Sequence, residues 1–272
     1  MTKFLNGSEL AGFIKERQAK SVRALRQAEG IHPKLAIIQL KDDPVINTYV
    51  RLKKAYGADI LVDVEIHRIP QADAKELIAK LNADQSVHGI IVQLPIEDTS
   101  QTDELCNLVA PSKDVDALGV NSKHDPATPM AIMWLLAGYN IELQGKKILL
   151  VGYGKLVGQP LSKSLKESGR DVSVADRSTK DLAALSKDAD IIITATGSPA
   201  ILYADMIKNG AVVVDAGVAS EEGKIVGDVA EDVYEREDLT ITPKKGGVGP
   251  LTICALFENV IISARRSVQK TE

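Results

Sequence analysis

Apolar residues along this chain fall into two patterns. Short, nearly continuous apolar blocks alternate with longer stretches in which apolar positions recur every three to four residues. The blocks predict strands over 35–40, 60–66, 89–94, 147–151, 190–195 and 211–215, and the repeating alternation adds strands over 171–175 and 240–242. A strand that is apolar throughout, such as Leu35-Ala-Ile-Ile-Gln-Leu40, is one covered on both faces, as in a parallel sheet. The periodic stretches predict helices over 8–29 (with Ser8 as cap), 45–58, 72–82, 160–168 and 251–266. A further helix runs from Thr128-Pro129 to about Gly138. Regular alternation of strand and helix defines an α/β chain whose parallel sheets carry helices on both sides.

The alternation is interrupted by the polar loop Pro111-Ser-Lys-Asp-Val-Asp-Ala117 and an irregular tract reaching Pro129, which marks the crossing between two domains. With 272 residues, 44% hydrophobic and 26% charged, each domain has the material for its own core. The net charge of -4 argues against non-specific nucleic-acid binding and leaves small anionic substrates to local basic sites. No apolar run is expected to reach the length of a membrane span, and the opening Met1-Thr-Lys-Phe-Leu-Asn-Gly7 lacks a signal-peptide core. Cys106 and Cys254 have no metal or redox spacing, which points to reduced thiols in the cytoplasm. The histidines, His32, His67, His88 and His124, are too scattered to ligate, so no metal is expected.

Two places carry chemistry. Gly152-Tyr-Gly154-Lys-Leu-Val-Gly158 follows an apolar block and precedes a helix with Pro160 near its first turn. In a dinucleotide site the first glycine makes the tight turn, the second admits a pyrophosphate, and the helix N-terminus attracts it. The spacing is one residue longer than the standard fingerprint, and a plain strand–helix turn uses glycines too. The context of strand, glycines, helix and a second strand ending at Asp176 favours the nucleotide. Asp176 suits the free ribose hydroxyl of NAD, whereas Arg177, with Ser178 and Thr179 as further donors, suits the extra phosphate of NADP. The donors tilt the reading to NADP, with NAD as the alternative.

The second place is Tyr49-Val-Arg-Leu-Lys53, a phenol and an amine on one helix face. Lysines on helices are ordinarily solvated, as Lys54 and the neighbouring Arg51 are expected to be. Lys53 stands out through its spacing from Tyr49 and through Gln93-Leu-Pro95, where Gln93 closes an apolar strand at the ligand-binding edge of a sheet. Asp114 and Asp116 flank Val115 in a loop, and one of them is expected simply to hold the turn. Thr242-Pro-Lys-Lys-Gly-Gly-Val-Gly-Pro250 is a glycine-rich turn after a strand, open to close approach by a flat ligand.

Taken in order, Tyr49-Val-x-x-Lys53, Val92-Gln-Leu-Pro95, Lys113-Asp-Val-Asp116, Thr128-Pro129, Val157-Gly-x-Pro160 and Gly246-Gly-Val-Gly-Pro-Leu-Thr252 form a specific set. Asn6-Gly7, Gly227-Asp-Val229 and Glu258-Asn259 extend it. The chain resembles the bifunctional methylenetetrahydrofolate dehydrogenase/methenyltetrahydrofolate cyclohydrolase family over nearly its whole length. The resemblance implies oxidation of methylene-tetrahydrofolate by NAD(P), then hydrolysis of the methenyl product to formyl-tetrahydrofolate. It implies a folate-binding catalytic domain over 1–121, a Rossmann-type doubly wound domain over 122–249, and one cleft between them. The C-terminal helix, 250–272, is expected to pack back onto the first domain. It further implies that Lys53, Gln93 and Asp116 are catalytic, and that Tyr49, Gly247, Pro250 and Thr252 bind substrate. Gly152, Gly154, Gly158, Asp176, Arg177 and Ser178 are the cofactor residues on this reading. A cytoplasmic homodimer without nucleic-acid or membrane partners completes the expectation.

The chain departs from the family pattern at several of these places. Ile46 stands where serine is usual, Ala117 where glycine follows the aspartate, and Ala127 where cysteine precedes Thr128-Pro129. Lys244-Lys245 replaces Val-Pro, Tyr153-Gly154 replaces Arg-Ser or Ala-Ser, and the stretch from Gly119 to Pro126 is short. These departures leave two alternatives open: a dehydrogenase without the hydrolytic step, and a degenerate nucleotide-binding protein.

Overall fold

The computed structural model describes residues 2–217, 219–221 and 224–268. In chain order the elements are β1 (Lys3–Phe4), α1 (Gly7–Ala28), β2 (Lys34–Gln39), α2 (Pro44–Asp59), β3 (Asp63–Arg68), α3 (Ala74–Ala83), β4 (Gly89–Gln93) and α4 (Thr102–Leu108). They continue with α5 (Ala127–Gly138), β5 (Lys147–Val151), α6 (Gly158–Glu167), β6 (Asp171–Ala175), α7 (Leu182–Asp188), β7 (Ile191–Thr194) and β8 (Val212–Asp215). The hairpin β9 (Ala219–Glu221) and β10 (Lys224–Val226), then β11 (Thr240–Ile241) and α8 (Val248–Val268), complete the chain.

The chain divides into two compact units, Met1–Ala11 with Thr128–Thr252, and Gly12–Ala127 with Ile253–Glu272. The first is built on a six-stranded sheet of order β1-β11-β8-β7-β5-β6, parallel at every pairing. From β5 the chain moves outward to β6 and then returns to the other side as β7, so the order reverses at β5. The carboxyl ends of β5 and β7 therefore flank the topological switch point, where open α/β sheets bind ligands. Leu149, Leu150, Ile192, Ile193, Val213 and Val214 are all buried, as strands covered on both faces require.

The second unit holds a three-stranded parallel sheet, β3-β2-β4. Ala36, Ile38, Ile90 and Val92 of the sheet pack with Ile78 of α3 and Leu105 of α4. α8 is fastened to the polar loop: Asn259 Nδ2 donates to the carbonyls of Val115 and Asp125, both at 2.9 Å, and Ser263 Oγ to that of Ser112 at 2.7 Å. Its Phe257 is fully buried, with its ring centre 5.1 Å from that of Tyr56. Burying such a side chain is worth about 1.5–3 kcal/mol.

Several elements differ from the sequence-based expectation. The cap of α1 is Asn6, whose Oδ1 accepts from Glu9 N at 3.2 Å, while Ser8 N donates to the Gly246 carbonyl. β3 begins at Asp63 rather than residue 60, because α2 runs on to Asp59 and Leu61 turns the chain with φ 63°. β1 is only two residues long, too short for a pattern, yet its pairing with β11 ties residues 3–4 into the six-stranded sheet. α4 and α7, seven residues each, are likewise too short to show a helical period. α8 starts at Val248, which places Gly249 and Pro250 in its first turn, where a missing N–H costs nothing. Residues 269–272 of the expected terminal segment lie outside the described residues. α8 also corrects the reading of apolar runs. Val248–Ser267 is long and apolar enough to cross a membrane by length and composition, but 61% of it is buried inside the protein.

Candidate active site

The amine site is built on α2 and the carboxyl edge of the three-stranded sheet. Asp43 caps α2, its Oδ1 accepting from Val45 N at 2.9 Å and Ile46 N at 3.2 Å, with Pro44 in the first turn. One turn apart on this helix stand Tyr49 and Lys53. Lys53 Nζ donates to Gln93 Oε1 at 2.8 Å. Gln93 ends β4, is 8% exposed, and gives its own Nε2 to the Leu94 carbonyl at 3.0 Å. That second bond fixes which end of the amide meets the amine. Lys53 keeps some surface, yet the protein crowds its amine. Desolvation pulls its pKa below the ordinary lysine value, and the Asp116 carboxylate acts in the opposite direction. Tyr49 is half-buried, and burial raises its pKa.

The loop Lys113-Asp-Val-Asp116 separates into fold and chemistry. Lys113 Nζ donates to the carbonyls of Leu81 (3.0 Å), Asn82 (2.9 Å) and Asp84 (2.6 Å), closing the C-terminal end of α3. Asp114 is 4% exposed and holds the following turn through Leu118 N (3.3 Å) and Gly119 N (2.8 Å). Val115 is fully buried. Asp116 is left half-buried and close enough to act on Lys53. Ala117, next in the chain, sits at φ 56°, a left-handed conformation that favours glycine.

One participant was not foreseen. Gln39, at the end of β2 and in register with Gln93, is 3% exposed. Its Nε2 donates to Asn47 Oδ1 of α2 at 2.7 Å and to the Lys41 carbonyl at 2.9 Å, and its Oε1 accepts from Arg68 Nε at 3.3 Å. Two neighbouring glutamines thus tie the sheet edge to α2 at Asn47 and at Lys53. The available signal was an amide inside the otherwise apolar block 35–40.

In the other unit, the glycine turn after β5 fits a dinucleotide. Gly152 has φ 104°, and a Cβ there would stand 2.6 Å from the Ala195 carbonyl oxygen; one on Gly158 would stand 2.1 Å from that of Gly152. Those two glycines are demanded by the chain itself. Gly154 faces open space, with no atom within 4 Å of a notional Cβ, which is the room a pyrophosphate needs beside the start of α6. At the end of β6, Asp176 Oδ1 accepts from Ser178 N at 2.8 Å and Ser178 Oγ at 2.6 Å, and these bonds lower its pKa. The Ser178 hydroxyl, expected as a phosphate donor, is here given to Asp176. Arg177 is exposed.

Gly247, Pro250 and Thr252 belong to this same unit. Gly246 turns at φ 81° and accepts from Ser8 N at 2.9 Å, and a Cβ on Gly7 would collide with the Gly247 carbonyl oxygen at 1.8 Å. Gly247 is buried and Pro250 half-buried, while Thr252 Oγ1 turns back to the Val248 carbonyl at 3.4 Å. Lys244 is paired with Glu231 and lies 5.0 Å over the Tyr234 ring, so its charge is used within the unit.

A parallel sheet with an open glycine turn at its switch point defines a dinucleotide-binding α/β protein, and its second unit carries an amide-held amine with a lowered pKa on α2. The family models for the tetrahydrofolate dehydrogenase/cyclohydrolase catalytic domain and NAD(P)-binding domain match residues 5–116 and 126–268. The chain belongs to the tetrahydrofolate dehydrogenase/cyclohydrolase family. It is 38% identical to the bifunctional protein FolD of Lactobacillus helveticus, over 98% of this chain and 99% of that one. The crystal structure of the bifunctional FolD of Campylobacter jejuni superposes with a TM-score of 0.91 at 38% identity, covering 98% of this chain and 99% of that one. The Trypanosoma brucei enzyme, solved with NADP and an inhibitor, gives 0.92 at 29% identity, with 98% and 99% covered.

Proposed function

We infer that this chain oxidises methylene-tetrahydrofolate to methenyl-tetrahydrofolate with NADP and hydrolyses the methenyl compound to formyl-tetrahydrofolate. The observation that carries this reading is the Lys53–Gln93 pair, an amine with a lowered pKa held by a fixed amide, in a chain of this family. Bound NADP supplies the hydride acceptor. Gly152, Gly154 and Gly158 would hold its pyrophosphate, with Asp176, Arg177 and Ser178 at the adenosine ribose. The open face of Gly154 and the NADP bound by the Trypanosoma brucei relative support this, with NAD as the alternative. The oxidation asks the protein only to position two rings.

Hydrolysis asks for a base. The uncharged Lys53 amine takes a proton from water as its oxygen adds to the methenyl carbon, and the ring then opens to the formyl product. Gln93 accepts from the amine and keeps it aimed. The Asp116 carboxylate receives the adjacent N–H donors of the pterin edge, a two-point contact. The Tyr49 face stacks on the folate, and Gly247, Pro250 and Thr252 complete the substrate contacts. The reading includes a cytoplasmic homodimer that engages neither nucleic acid nor membrane. The net charge of -4 supports the part of this reading that concerns nucleic acid, and the two buried cysteines without redox spacing support the cytoplasm.

Lys53→Met tests the assignment. Hydrolysis of methenyl-tetrahydrofolate is expected to fall to the buffer rate while the variant stays folded. An undiminished rate would remove Lys53 as the base, and a wild-type protein that oxidises but never hydrolyses would be a dehydrogenase alone.

A further inference from the structure

Gly227-Asp-Val229 belongs to the set of motifs but has no part in the steps above. Asp228 is fully buried. Its Oδ2 accepts from Thr196 N at 2.6 Å and its Oδ1 from Ser198 N at 3.1 Å, so it grips the loop that leaves β7 by two backbone amides. A second carboxylate braces the first. Asp215, at the end of β8, accepts from the amides of Gly217 (2.9 Å), Asp228 (3.2 Å) and Val229 (3.1 Å), and from Thr194 Oγ1 (3.1 Å). The two are interlocked by glycines: a Cβ on Gly217 would stand 2.0 Å from the Asp228 carboxylate, and one on Gly227 would stand 2.0 Å from that of Asp215.

The loop held in this way lies against the glycine turn. A Cβ on Gly152 would meet the Ala195 carbonyl oxygen and, at 3.0 Å, the Thr196 methyl. A dinucleotide crosses the sheet at the switch point, with its pyrophosphate at the turn after β5 and its adenosine ribose at the end of β6. Its other half therefore extends over the ends of β7 and β8, past residues 195–198. Burying a carboxylate is costly unless its hydrogen bonds are met, and here backbone amides meet them.

We propose that Asp228, braced by Asp215, is a positioning residue for the nicotinamide half of the cofactor, setting the backbone of residues 195–198 against which that half lies. The proposal rests on the dinucleotide site described above, and it adds a residue that reaches the cofactor only through the loop.

The test is a comparison of Asp228→Asn and Asp228→Ala with the wild type by NADPH fluorescence titration, dehydrogenase kinetics and methenyl hydrolysis, each with a thermal melt. Asparagine keeps the size and one acceptor but turns N–H against one of the two amides. The expected order of cofactor affinity is wild type, Asn, Ala. The Ala variant should lose about tenfold to a hundredfold, the scale of hydrogen bonds made to a charged group. Dehydrogenase kcat should fall as well, and hydrolysis should fall by less than cofactor affinity. A folded Asn or Ala variant with unchanged NADPH affinity would overturn the proposal. So would parallel losses in both activities that merely track the melting temperature. A wild type that binds NADPH without turnover would refute the dehydrogenase reading instead, and the titration of the variants would still decide the role of Asp228.

Discussion

Replacing Gln93 by methionine would keep most of the side-chain volume and delete the acceptor that holds Lys53 Nζ at 2.8 Å. In the resting site that acceptor meets an amine whose charged form is disfavoured by burial. As the amine takes a proton from water, the same carbonyl bonds an ammonium, and hydrogen bonds to charged groups are worth about 1.5–3 kcal/mol against about 1 for neutral ones. The differential loss is about 0.5–2 kcal/mol, which corresponds to about a 2- to 30-fold fall in the hydrolysis rate. The hydride step uses no base, so dehydrogenase kcat should hold. The assay is the decay of methenyl-tetrahydrofolate beside NADP reduction, on protein shown by melting to be folded. Hydrolysis at the wild-type rate, or an equal loss in both activities, would show that the Gln93 carbonyl does not stabilise the Lys53 ammonium during hydrolysis.

Hydrolysis should rise with pH as Lys53 loses its proton, and the rise should lie below the ordinary lysine value because burial disfavours the charged amine. Asp116→Asn removes the carboxylate that opposes this shift, so the rise should move to lower pH; a move to higher pH would contradict the assignment. The unfolded chain binds the Lys53 proton more tightly than the folded one, so this group's contribution to stability grows as pH climbs from the lowered value to the ordinary one. Ala117→Gly should stabilise the fold by about 0.5–1 kcal/mol, read as a higher urea midpoint at unchanged slope, because it relieves a left-handed alanine at φ 56°. Arg177→Ala should lower the NADP over NAD ratio of kcat/KM by about tenfold, and Asp176→Ser should raise it, since one side chain attracts and the other repels a ribose phosphate.

What the sequence made legible was periodic or local. The apolar block at 147–151 became β5 over the same residues, since a strand buried on both faces announces itself in composition, and the alternating Asp171-Val-Ser-Val-Ala175 became the edge strand β6 with Asp171 and Ser173 exposed. The glycine turn was readable because Gly152 and Gly158 answer to steric demands within a few residues. The placement of Tyr49 and Lys53 one turn apart on α2 was readable for the same reason, being fixed by helix geometry. What stayed hidden depends on partners far away in the chain. Ser8 has the chemistry of a cap, but Asn6 holds the capping position because Gly246 takes the Ser8 amide. Lys113 looks like a solvated loop lysine and is the clasp on α3, thirty residues earlier. Ser178 is a phosphate donor by composition and a partner of Asp176 by geometry. Gln39 and Asp228 show the same limit, since an amide in an apolar block and an aspartate between a glycine and a valine reveal a buried polar group but not what it holds.

A time course of wild-type protein with methylene-tetrahydrofolate and NADP, following reduced cofactor and methenyl-tetrahydrofolate separately, decides whether one chain carries out both reactions. Reduced cofactor should accumulate while the methenyl compound appears only transiently and gives way to formyl-tetrahydrofolate. Methenyl that builds up in step with reduced cofactor, and then decays no faster than in buffer, would mean that the chain oxidises without hydrolysing.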